Sequence, residues 1–60
     1  MADDQTIQEA YADKLKALFI ILADAFITGE NKTDAERRFQ RGVTLAREAR
    51  DIAIQLLPKP

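Results

Sequence analysis

The chain contains no cysteine, no histidine, no tryptophan and no serine, and only two glycines and two prolines among its 60 residues. Without cysteine there is no disulfide staple and no thiolate metal site. Without histidine the usual nitrogen ligand and the usual general base are both missing. With serine absent too, no common nucleophile–base pair can be assembled, and two glycines do not make a phosphate-cradling loop. The pairs Glu9/Asp13 and Glu30/Asp34 lack the Glu-x-x-His partners of helical di-metal sites. The expectation is a protein that is not an enzyme and holds no metal and no cofactor.

Net charge is also scarce. Nine basic and ten acidic residues leave −1, which gives no long-range field to attract nucleic acid or an acidic membrane. No apolar run is long. The richest, "ALFIILADAFI" from Ala17 to Ile27, is interrupted by Asp24 and has about half the roughly 20 residues a bilayer-crossing helix needs. No membrane role is expected. The opening "MADDQT" has neither a basic n-region nor an apolar h-region, so no signal peptide is expected and the cytoplasm is the expected location.

What is present is 47% apolar residues in a chain long enough for a single domain. A core this small rarely supplies more than roughly 3–5 kcal/mol without disulfides, metal or oligomerisation. Of those three, only oligomerisation remains. Two turn signals divide the chain. "GENKT" offers Gly29 for the left-handed position past a helix end and Thr33 with Glu36 as a capping box. Pro58 stops any helix at the far end. Thr6 with Glu9 is a second possible box, and Asp3 or Asp4 an alternative cap. These signals predict an all-α antiparallel hairpin with helices at about 6–28 and 34–57. The domain spans 1–60, with 1–5 and 58–60 as flexible ends.

In the first helix a 4-3 pattern runs through Tyr11, Leu15, Leu18, Leu22 and Ala25, a seam for packing another helix. Ile20 and Ile27 fall roughly opposite that seam, so the stretch Leu18–Ile27 is apolar nearly all round and the first helix is expected to be the more buried one. The second helix reads Ala35, Phe39, Gly42, Ala46, Ala49, Ala53, Leu56 along its seam, mostly Gly and Ala. In a hairpin closing near Asn31, residues whose numbers sum to about 62 come level. That predicts Phe19 against Gly42 and Val43, and Phe39 near Ala23, large against small. It also predicts two ion pairs, Asp24–Arg38 and Asp13–Arg50.

One partner helix cannot cover both sides of the first helix. The simplest closed solution is a two-fold homodimer, a four-helix bundle. Its interface is expected at Leu18, Phe19, Ile20, Leu22, Ala23, Phe26 and Ile27. The second helix also carries an arginine stripe, Arg37, Arg41 and Arg47, flanked by Arg38 and Arg50. Five arginines between residues 34 and 51 meet four carboxylates, and no helix-turn-helix spacing is present. A solvated, ion-paired face is the ordinary reading of such a stripe. Alternatively, the stripe makes the chain a small nucleic-acid-binding regulator or contacts an acidic protein. Ala35, Phe39 and Gly42 are spaced as in the second helix of a tetratricopeptide repeat, but that repeat's first-helix signature is absent and both helices are too long for it. The function expected is a helical interaction module that associates with itself and binds another protein as adaptor or regulator.

Overall fold

The computed structural model describes residues 2–58; Met1, Lys59 and Pro60, parts of the expected flexible ends, lie outside the described residues. Two helices, α1 (Ala2–Ile27) and α2 (Lys32–Leu56), pack against each other as a hairpin. The all-α hairpin is thus as expected, with helix ends that differ in instructive ways.

α1 begins at Ala2, so residues 2–5 form its first turn. Asp3 and Asp4 put negative charge at the positive end of the helix dipole. Thr6 is therefore not a cap. It lies inside the helix, and its hydroxyl donates back to the Ala2 carbonyl at 2.8 Å. At the other end, Gly29 takes φ +83°. The Glu30 N–H donates to the Ala25 carbonyl at 2.9 Å and the Gly29 N–H to the Phe26 carbonyl at 3.3 Å. That pair of bonds is a Schellman motif, and it suits glycine because the left-handed conformation costs a residue with a Cβ free energy that glycine avoids.

The motif ends at Glu30, which makes Asn31 the first extended residue and the true cap of α2. Its Oδ1 accepts from the Asp34 N–H at 3.0 Å, and its carbonyl accepts from Ala35 N–H at 3.0 Å. Thr33 lies within the helix instead. Asparagine ranks above threonine as a cap, and capping two residues earlier adds to the helix. At the far end, Leu57 is extended (φ −66°, ψ 139°), the conformation imposed on a residue before proline.

The hairpin is a slab one helix thick. Its Cα extents are 49 × 16 × 7 Å and its radius of gyration is 14.3 Å, against about 10 Å for a compact chain of this length. Its accessible surface is 4926 Å², roughly 1,000 Å² more than a compact protein of this mass exposes. Among the described residues only Ala25 and Ala35 are buried, and no large side chain is fully buried. A single layer has no interior; folded domains have two.

Candidate interaction surface

The helices approach each other closely at Gly42. A Cβ there would lie 2.7 Å from Leu18 Cδ2, so Leu18, a seam residue, covers the glycine. Phe19 does not. One residue of helix is about 100° of rotation, and that turns Phe19 outward, leaving it 60% exposed. Levelling residues by number fixes height along the axis but not direction around it. Phe39 borders a groove with Leu18 and Leu22.

The same reason removes both expected ion pairs. Asp24 precedes buried Ala25 by one residue, is exposed, and has no ion pair among the described residues. Arg38 reaches the loop instead and donates from Nη2 to Glu30 Oε1 at 3.0 Å. Asp13 lies two residues past Tyr11, about 200° round the helix, and sits 3.9 Å from Lys16. Arg50 turns to its neighbour: Nη2 lies 2.9 Å from Asp51 Oδ1, and its guanidinium stacks 4.5 Å from the Tyr11 ring centroid. Arg50 thus closes the slab on half-buried Tyr11, through a planar cation on an aromatic face.

The expected interface residues divide in two. Leu18, Leu22 and Ala23 are partly covered within the hairpin. Phe19, Ile20, Phe26 and Ile27 are exposed, with Ile20 at 57% and Ile27 at 80%. Phe26 keeps one cation near its ring, Lys32 Nζ at 5.5 Å from the centroid. Within the single hairpin α1 and α2 are covered to a similar extent; the expectation that α1 is the more buried helix concerns the assembled bundle. Among the stripe residues, Arg37 lies 3.9 Å from Asp34; Arg41 and Arg47 have no ion pair among the described residues.

A second apolar surface lies on α2. Leu45 and Ile52 are half exposed and Leu56, counted above as seam, is 78% exposed. Leu56 sits three residues beyond Ala53, on the outer flank at the helix end. Beside this row runs a groove of about 320 Å³, lined by Ile7, Tyr11 and Lys14 of α1 and by Gly42, Ala46, Ala49 and Ala53 of α2. Ile21, also exposed, borders a second groove of about 220 Å³ with Leu18 and Arg38. Leu45 and Ile52 flank the seam on the wide apolar face expected of α2, and with Arg38, Gly42, Ala49 and Leu56 they keep an unbroken 4-3 spacing.

Among the described residues no three carboxylates gather at one point, and no helix is long and apolar enough to cross a membrane. Comparison with protein families, with curated proteins and with solved structures finds no match to this chain.

Proposed function

We propose that the protein is a non-enzymatic helical interaction module that associates with itself through the outer side of α1 and serves as an adaptor or regulator by binding another protein. The observation that carries this reading is the exposure of Phe19, Ile20, Phe26 and Ile27 on one helix of a hairpin that fully buries no large side chain among the described residues. Contiguous exposed apolar surface of this kind marks an interaction site in a stable protein. The excess surface, roughly 1,000 Å², is close to the about 800 Å² each partner contributes to a standard interface. A four-helix bundle gives the slab its missing second layer.

The alternative, nucleic-acid binding through the arginine stripe, has weaker support. Arg37, Arg38 and Arg50 each have a carboxylate within 4 Å, which leaves Arg41 and Arg47 as the stripe arginines without an ion pair among the described residues.

The test is Ile20→Glu combined with Ile27→Glu, followed by sedimentation equilibrium. Both side chains are exposed in the hairpin, so the substitutions spare its own contacts. A fall in mass relative to wild type supports the α1 interface. An unchanged mass overturns it. Duplex-DNA binding that falls steeply with salt would shift the reading to the arginine stripe.

A further inference from the structure

The exposed row on α2 is not explained by an interface on α1. Ile20 and Ile27 lie about 100–120° round α1 from Ile21, which borders the grooved face. A contact centred on them leaves Leu45, Ile52 and Leu56 in water. We propose that this row is a second self-association surface, on which α2 of another copy packs antiparallel across a two-fold axis near Thr44 and Leu45.

Two observations support that occupant. The first is the spacing. The 4-3 row runs from Arg38 to Leu56 on α2, a helix of 25 residues whose middle is Thr44, so a two-fold axis at Thr44 and Leu45 overlaps the two helices almost completely and brings Leu45 of each copy together at the axis. The second is charge. Arg41 and Glu48 flank the row on one side, each exposed and each without an ion pair among the described residues. A two-fold axis between Thr44 and Leu45 brings Arg41 of each copy level with Glu48 of the other. Parallel packing would set Arg41 on Arg41 and Glu48 on Glu48. The row is therefore complementary to itself in one direction only, which is the requirement of an isologous contact.

With surfaces on both α1 and α2, association proceeds beyond the dimer. The two readings fail separately. Charge reversal at the α2 row is the decisive experiment, because Arg41 and Glu48 are exposed and do not hold the hairpin together. Arg41→Glu alone and Glu48→Arg alone are each expected to raise the dissociation constant of the α2 contact about tenfold. The combined variant restores opposite charges across the axis and is expected to return to within about twofold of wild type. The cycle is run by sedimentation equilibrium in the wild type and in the Ile20→Glu/Ile27→Glu background, with helicity checked by circular dichroism. Single variants that leave the constant unchanged overturn the proposal, as does a double variant no tighter than either single. A purified wild-type chain that is a monomer overturns it too. A mass unaffected by Ile20→Glu and Ile27→Glu, with the charge cycle intact, overturns the α1 interface alone and leaves this one standing.

Discussion

Gly42 is the residue at which the sequence and the packing meet most directly. Its cost in helix propensity is about 1 kcal/mol relative to alanine, and Leu18 occupies the space a Cβ would take. The crowded atom is the tip of a flexible side chain. Gly42→Ala is thus expected to be close to neutral in urea unfolding, strain at Leu18 offsetting the gain in propensity. Gly42→Leu is expected to destabilise by about 1–3 kcal/mol, with part recovered by adding Leu18→Ala. Asp24 gives the opposite kind of expectation. Exposed and unpaired among the described residues, it should tolerate Asn with a change within about 0.5 kcal/mol, readable as an unmoved urea midpoint. A larger loss would mean that Asp24 is paired in the protein in solution. Arg50 is different again, since it combines a carboxylate with the Tyr11 face. Arg50→Lys keeps the charge but loses the planar stack, and should cost about 0.5–1 kcal/mol by the same measurement.

The two helices were legible because their signals are periodic and local. The 4-3 run from Tyr11 to Ala25, Gly29 and Pro58 each act through neighbours a few residues away. The loop was legible only in outline. Thr33 with Glu36 has the spacing of a capping box, yet Asn31 takes the cap because the Schellman motif on Gly29 delivers the chain there in an extended conformation. Asn31→Ala is accordingly expected to cost about 1 kcal/mol in thermal unfolding, while Thr33→Ala changes little; the reverse order would return the cap to Thr33. The pairings between helices were not legible, for a geometric reason. Counting residues from the turn sets height to within about a residue, but one residue is about 100° of direction. Phe19, Asp13 and Asp24 all came level with plausible partners and pointed elsewhere. The exposed row on α2 was legible only as a flank of the inner seam, for a different reason: it shares Gly42, Ala49 and Leu56 with that seam, and one helix can carry two 4-3 ladders offset around its circumference.

At the scale of the whole molecule, the hairpin is a single layer with a 7 Å Cα thickness and a surface of 4926 Å², and the proposed assembly would supply the second layer that folded domains have. The apolar residues left outside lie on two surfaces, the outer side of α1 and the flank of α2, so burying one does not bury the other. If folding depends on association, stability must depend on concentration. The melting temperature is expected to rise with protein concentration across the micromolar range, and to show that rise only at higher concentration in a variant that combines Ile20→Glu, Ile27→Glu and Arg41→Glu. The most direct measurement is the light-scattering mass of the eluting species after gel filtration, with helicity recorded on the same fractions. A helical species of at least twice the 6.8 kDa chain mass is predicted. A stable, fully helical species of 6.8 kDa would contradict it.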